Sequence, residues 1–302
     1  VNFLGINGSH RTITTMPPFY TYGLSVINTH LFTGASILVT NLKAIEKAFW
    51  KLMRDQKVCS FAGVPYFYEV LNKIKFDKFD LPDLKYFTQA GGALRKDLIE
   101  YFLTYSEKSK KKFVVMYGQT EATARMTYLP CQMLRKKIGS VGIPITEGKI
   151  HLVSNKSKND NKGEIIYEGK NVSLGYAKNF KDLTKENENK GILKTGDLAV
   201  KDSDGYLYIT GRKSRDIKLF GHRVSLDEVE QILFKKGYNC KCCGIDNKVT
   251  IFHIDNTYTG EILKYISKQT NIYLDCFTLK HIKEFPLNEN GKASYEKLEK
   301  YL

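Results

Sequence analysis

The sequence predicts an α/β layer, a small β-rich subdomain after it, and then a separate small α+β domain at the C-terminal end. Three observations carry this. Up to about residue 130, helix-period and strand-type apolar patterns alternate; from 138 to 210 they give way to short strands punctuated by glycine; beyond a basic stretch at 213–215 a fresh set of helices and strands begins.

Taken in order, the first element is a loop. Met16, Pro17, Pro18, Phe19, Tyr20, Thr21, Tyr22 and Gly23 feed a helix that has no earlier element to pack on, so the natural domain is expected to begin upstream of Val1. Ile45, Phe49, Leu52 and Met53 recur at helical spacing, as do Leu98, Phe102 and Tyr105, while 36–40 and 113–116 are short apolar runs. Such alternation predicts parallel, buried strands. Residues 149–153, 164–167 and 206–210 supply the strands of the β-rich part, and the polar stretch 155–162 suits an exposed hairpin loop. Later, Ser225 with Glu228 three residues on forms a capping box, opening a helix that buries Val229, Ile232 and Leu233. Two strands, a helix around 260–268, another strand and a final helix from Ser294 complete the chain. The domains expected are 1–212, including the subdomain 138–210, and 213–302, with the linker at 213–215.

Composition narrows the function classes. With 302 residues, 42% of them hydrophobic, the chain is able to build real cores. No run of about 18 apolar residues occurs and the first residues lack a signal-peptide pattern, so a cytoplasmic protein without a membrane span is expected. The net charge of +15 comes from lysines spread along the chain and mixed with asparagine; the clusters at 108–112 and 135–137 read as solvated faces, so nucleic acid is not the expected partner. Six cysteines stand at 59, 131, 240, 242, 243 and 276 without the paired spacing of a zinc site, and Cys240, Cys242 and Cys243 read as small apolar residues of a buried strand.

Four motifs carry chemistry. Residues 114–121 place an apolar strand before a Gly turn, a hydroxyl and a carboxylate, which displays Tyr117, Thr120 and Glu121 where open α/β sheets bind ligands. Leu193, Lys194, Thr195, Gly196 and Asp197 set an acid after a second Gly turn. Gly211 and Arg212 open a basic segment running through Lys218, Gly221 and Arg223. Pro286, Asn290, Gly291 and Lys292 present a lysine on a turn. Read alone, Lys292 is a solvated turn residue, Asp197 a turn cap and Arg212 half of a surface ion pair.

In order and separation, these motifs resemble the adenylate-forming (AMP-binding) superfamily, which includes acyl-CoA synthetases, luciferases and peptide-synthetase adenylation domains. The resemblance is to the acyl-CoA synthetase or ligase type and extends over Gly63 to Pro65, Gln89 to Gly92, Gly139 to Gly142 with Pro144, Gly163 to Ile165, Gly169, and Gly175 with Tyr176. It implies the C-terminal portion of such an enzyme: a remnant of the large N-domain, then a small mobile domain carrying the catalytic lysine. By that resemblance Gly91, Gly92, Tyr117 and Gly118 would line the adenine and acyl pocket. Thr120 would meet the α-phosphate, Glu121 would hold Mg²⁺, and Asp197, with Arg212 beside it, would bind the ribose. Lys292 would bridge the attacking carboxylate and the ribose side. Tyr20, with Gly91, would border the acyl pocket, Lys218, Gly221 and Arg223 would form the thiol tunnel, and Ser214 would stand at the hinge.

The implied reaction is ATP-dependent activation of a small carboxylic acid as its acyl-adenylate, then thioester formation with CoA. A carrier-protein phosphopantetheine is the alternative acceptor, which would make an acyl carrier protein a partner. The sequence contains no Ser/Thr/Gly-rich loop ending in Pro-Lys-Gly for the β- and γ-phosphates, so a separate N-terminal half, or a longer parent chain, is expected to supply it. That leaves an inactive nucleotide- or partner-binding fragment as the reading of another class.

Overall fold

Strands buried on both faces are mostly apolar, and the central strands of the larger layer are so apart from Thr12, Ser60, Thr88 and Gln89, which are buried polar residues. The computed structural model describes residues 1–154, 161–219, 222–245, 247–256, 260–289 and 291–302. Five parallel strands, β1 (Arg11–Ile13), β2 (Ser36–Leu38), β3 (Ser60–Gly63), β4 (Tyr86–Gln89) and β5 (Lys112–Tyr117), lie in the order β2-β1-β3-β4-β5. Short antiparallel strands β6 (Thr127–Tyr128) and β7 (Ile143–Pro144) extend the far edge. Phe61, Phe87 and Phe113 are register partners on β3, β4 and β5, and their rings stack at centroid separations of 5.4 and 5.0 Å.

Helices cover both faces. On the Phe87 side pack α2 (Lys47–Asp55), α3 (Pro65–Lys73) and α4 (Lys96–Lys108), with Phe49, Trp50, Tyr68, Leu71, Leu98 and Phe102 buried. Pro65 starts α3 where its missing N–H is of no consequence, and α4 has Asp97 in its first turn and Lys108 in its last, matching the helix dipole. On the other side α1 (Thr21–Phe32) sets Tyr22 and Val26 against Ala62, Tyr86, Val114 and Met116. One periodic residue departs from expectation: Ile45 is 64% exposed, because α2 starts two residues later and leaves it on the preceding turn.

The β-rich part is an antiparallel sheet of β8 (Lys149–Val153), β9 (Lys162–Glu168), β10 (Ile192–Lys201) and β11 (Leu207–Arg212), ordered β11-β10-β9-β8. Burial alternates along β9 and β10, as one covered face requires. Most of the loop expected at 155–162 lies outside the described residues, and Lys162 already belongs to β9.

The last part contains the hairpin β12 (Asp216–Leu219) and β13 (His222–Ser225), then α5 (Leu226–Lys235), β14 (Cys240–Ile245), β15 (Lys248–His253), α6 (Glu261–Thr270), β16 (Phe277–His281) and α7 (Tyr295–Glu299). The Ser225 hydroxyl accepts from the Glu228 amide, which is half of the expected capping box. Asp227, the residue between, serves another element: one oxygen accepts from the Arg212 amide and the other pairs with Arg215. Cys240, Cys242 and Cys243 are buried in β14, as expected of small apolar strand residues.

Candidate functional site

Asp197 lies beside an irregularity in β10. Pairing with β9 breaks between Lys194 and Leu198, and Gly196 within the break takes φ +69, a conformation that suits glycine. Asp197 shares the covered face of β10 with Leu193, Thr195 and Ala199 by the strand's alternation, and it is 5% exposed. Its Oδ2 accepts from Tyr117 Oη at 2.6 Å and Gln119 Nε2 at 2.7 Å, and its Oδ1 accepts from Arg212 Nε at 2.5 Å. Burial, then the Asp197 charge, pushes the Tyr117 phenol far above its ordinary range, so Tyr117 remains a donor. A carboxylate has about four acceptor positions, so three protein donors leave one for a ligand hydroxyl.

Glu121 lies on the short 3-10 turn Thr120–Ala122 directly after β5. The backbone then runs through Thr123 and Ala124, both at positive φ (55 and 69), before re-entering the sheet. Asn171 holds this bend by donating to the carbonyls of Ala122 and Arg125 at 2.8 and 3.2 Å. Thr120 meets Thr21 of α1, hydroxyl to hydroxyl, at 3.1 Å. Tyr176 Oη donates to Glu121 Oε1 at 2.5 Å, a contact across 55 residues of sequence. Among the described residues no group of three potential metal ligands forms. The Glu121 carboxylate offers oxygen donors, the kind a hard cation such as Mg²⁺ takes.

Lys292 reaches this region from the last part of the chain. A turn closes under it, with the Asn288 amide donating to the Lys292 carbonyl at 2.8 Å and Asn288 Oδ1 accepting from the Lys292 amide at 3.0 Å. Its Nζ lies 5.9 Å from the Tyr20 ring centroid, and its Cε would be 3.5 Å from a Cβ on Gly91. Burial, and next the Arg212 charge, lower the pKa of the ammonium, while Asp197 opposes them. Lys292 makes no ion pair among the described residues, which leaves its charge available to a ligand.

The glycines divide by purpose. A Cβ on Gly91 (φ +85) would meet Tyr20 Oη at 2.6 Å, so this glycine opens the space between Tyr20 and Lys292. A Cβ on Gly92 would press on Pro65 at 3.2 Å. At Gly118 a Cβ would strike the Ala124 carbonyl at 2.3 Å. Gly118 serves the close packing of its own loop.

Lys292, Gly91, Tyr20, Arg212, Asp197 and Tyr117 are thus joined by contacts or by mutual electrostatics, and Thr120 and Glu121 follow Tyr117 on the same loop. Lys218 and Arg223 are backbone partners across the β12–β13 hairpin, and Gly221 lies outside the described residues. Ser214 stands in the 3-10 turn Lys213–Arg215, which follows β11 directly. Sequence reasoning missed Gln119 and Tyr176 as the partner of Glu121. Gln119 had a visible signal, being inside the loop motif; Tyr176 had only its place in a glycine motif.

A sequence model of the family described as AMP-binding enzyme matches residues 2–177. Among curated proteins, a 2-succinylbenzoate–CoA ligase of Oceanobacillus iheyensis is 28% identical over 233 residues, which covers 76% of this chain and 47% of that protein. A probable 4-coumarate–CoA ligase of Dictyostelium discoideum is 29% identical over 225 residues, covering 72% of this chain and 40% of its own length. The chain therefore spans about half the length of the curated relatives it matches. Among solved structures, an O-succinylbenzoate coenzyme A synthetase of Bacillus subtilis in complex with ATP and magnesium ion superposes with a TM-score of 0.77 at 20% identity, over 98% of this chain and 62% of that one. At that identity the likeness is one of fold. No described helix is long and apolar enough to cross a membrane.

Proposed function

Because this chain belongs to the AMP-binding enzyme family, we propose that it carries the nucleotide, acyl and lysine side of an acid–thiol ligase: activation of a carboxylic acid with ATP as an acyl-adenylate, then thioester formation with CoA. The CoA ligases among its relatives support this reading. The observation that carries it is the seat of Lys292, partly buried against Tyr20 and Gly91 and in the field of Arg212 and Asp197.

Each residue then has a task that its surroundings suit. Asp197, held by Tyr117, Gln119 and Arg212, keeps an acceptor position for a ribose hydroxyl. Gly91 and Gly92 leave room beside Tyr20 for the acyl group and the adenine ring. Lys292 brings an ammonium, desolvated and without a protein carboxylate, to the charge that grows as the acid's oxygen meets the α-phosphorus; such a donor acts more strongly in a water-poor site than in water. Thr120 offers its hydroxyl to the α-phosphate. Glu121 would hold Mg²⁺, which supplies charge neutralisation of the phosphates when bound. In the thioester step we assign Lys218, Gly221 and Arg223 to the thiol path and Ser214 to the hinge, with 1–212 and 213–302 as the two moving bodies.

The experiment starts from a preformed acyl-adenylate, so that phosphate binding does not enter it. On mixing with this chain, AMP release should accelerate on addition of CoA. Acceleration only by a phosphopantetheinylated carrier protein would move the acceptor from CoA to the carrier, and release indifferent to both thiols would remove the thioester step.

A further inference from the structure

The turn that carries Lys292 is braced on its own account. Leu287 and Ala293 bridge across it, the Gly291 amide donates to the Asn288 carbonyl at 3.0 Å, and the Ser294 amide donates to the Pro286 carbonyl at 2.7 Å. Lys297 Nζ in α7 donates to the Leu287 carbonyl at 3.0 Å, which ties the turn to the last helix. Gly291 takes φ +72, a conformation that glycine adopts without strain. A turn braced in this way moves as one piece, so whatever it rests on decides where the Lys292 side chain lies.

It rests on the start of α3. A Cβ built on Gly291 would lie 3.6 Å from Val64 Cγ2, 3.8 Å from Tyr66 Cβ and 3.9 Å from Tyr66 Cδ1, so no more than a methyl group separates the two elements. Val64 is the N-cap residue of α3, and its other methyl, Cγ1, would be 3.2 Å from a Cβ on Gly91. This valine is 7% exposed and part of the core, whereas Tyr66 is 48% exposed and belongs to none of the buried clusters. Tyr68 and Leu71 hold α3 on the sheet without help from the Tyr66 ring.

Elsewhere the last part of the chain is tied to the larger part beside the proposed hinge. Asp227 accepts from the Arg212 amide at 2.6 Å, and Gln231 Nε2 donates to the Ile209 and Thr210 carbonyls at 3.3 and 2.9 Å. These bonds join α5 to the end of β11, which leads directly into the 3-10 turn that holds Ser214. Contacts beside a pivot permit rotation about it, and a contact away from the pivot fixes the angle.

We propose that Tyr66 is a positioning residue: its ring at the start of α3 is the rest on which the lysine turn docks, and this contact holds Lys292 towards Gly91 and Tyr20. Tyr66 acts through Lys292 and touches no substrate. Its purpose rests on the ligase reading given above, but the contact is tested without substrate.

Competitive labelling with acetic anhydride across pH, read peptide by peptide by mass spectrometry, follows the titration of each lysine in the folded chain. Around Lys292, burial and then Arg212 lower the ammonium pKa and Asp197 raises it, while burial raises the Tyr20 phenol and keeps it neutral. Lys292 should titrate below the exposed lysines in the unmutated chain and in Tyr66→Phe, and should move towards 10.5 in Tyr66→Ala. Lys111 is the internal control, since burial lowers its ammonium too and it donates to the Leu81 and Leu84 carbonyls in the core that α3 covers. It should stay put in all three chains, whereas a general loosening of α3 would move both lysines. Lys292 unmoved in Tyr66→Ala, moved together with Lys111, or moved equally in Tyr66→Phe would overturn the proposal.

Binding of a non-hydrolysable acyl-adenylate mimic supplies the functional arm. Tyr66→Ala should weaken it about three- to tenfold, and the double variant should bind no more weakly than Lys292→Met alone. Losses that add in the double variant would also overturn the proposal. Absence of mimic binding by the unmutated chain, together with the expected labelling result, defeats the ligase reading and leaves the Tyr66 contact standing.

Discussion

Arg212 Nε lies 2.5 Å from Asp197 Oδ1 across register partners of β10 and β11, while the backbone amide of the same arginine donates to Asp227 at 2.6 Å. One residue thus links the proposed ribose acceptor to the first turn of α5. The Asp197 carboxylate is buried but the Arg212 side chain is half exposed, so solvent screens part of the pair. Asp197→Asn should lower unfolding free energy by about 1–3 kcal/mol, and Tyr117→Phe by about 1 kcal/mol, in urea titrations. Because both touch one carboxylate, the double variant should lose less than the sum of the two.

Lys292 gives a pH signature. Its folded pKa is lowered, mainly by burial and then by Arg212, so the folded state disfavours the charged form that the unfolded chain keeps up to its ordinary 10.5. The penalty is complete below the folded pKa and is relieved as pH rises from there towards 10.5. Lys292→Met should therefore melt higher than the unmutated chain at neutral pH, with the gain shrinking as alkalinity approaches that value. A gain that is constant with pH, or a lowered melting temperature at neutral pH, would contradict the burial of an unpaired ammonium.

Gly118 and Gly91 separate packing from ligand space. Gly118→Ala drives a methyl group into the Ala124 carbonyl and should cost about 1–3 kcal/mol of stability, read by denaturation. Gly91→Ala meets the movable ends of Tyr20 and Lys292, plus strain at φ +85, and its main effect should be weaker binding of an acyl-adenylate mimic.

Tyr176 and Glu121 separate metal from scaffold. Glu121→Gln should remove most of the Mg²⁺ dependence of ATP binding while leaving metal-free nucleotide affinity unchanged. Tyr176→Phe removes a partner that is 68% exposed and should change stability by less than about 0.5 kcal/mol. Calorimetry with and without Mg²⁺ checks both.

Much of the fold was readable because local rules decide it. Alternating helix and strand periods gave the α/β layer, glycine spacing gave the β-rich sheet, and the order of elements in the last part followed from 226 onwards as expected. The site was readable where a motif is contiguous, as from Tyr117 to Glu121. Contacts fixed by distant elements were not. Tyr176 reaches Glu121 only because the loop after β9 folds back over the turn. Ile45 kept the helical period yet lies outside α2, since periodicity marks a face without marking where a helix starts. Gly118 shows the same limit: a glycine in a motif signals a forbidden side chain, and only the structure says what forbids it.

The most direct measurement is calorimetric titration of AMP into the unmutated chain, Asp197→Asn and Lys292→Met, with circular dichroism to establish that each is folded. The account predicts saturable one-site binding that weakens by about tenfold or more in Asp197→Asn and by a smaller factor in Lys292→Met. No binding by the unmutated chain, or equal affinity in folded Asp197→Asn, would contradict it.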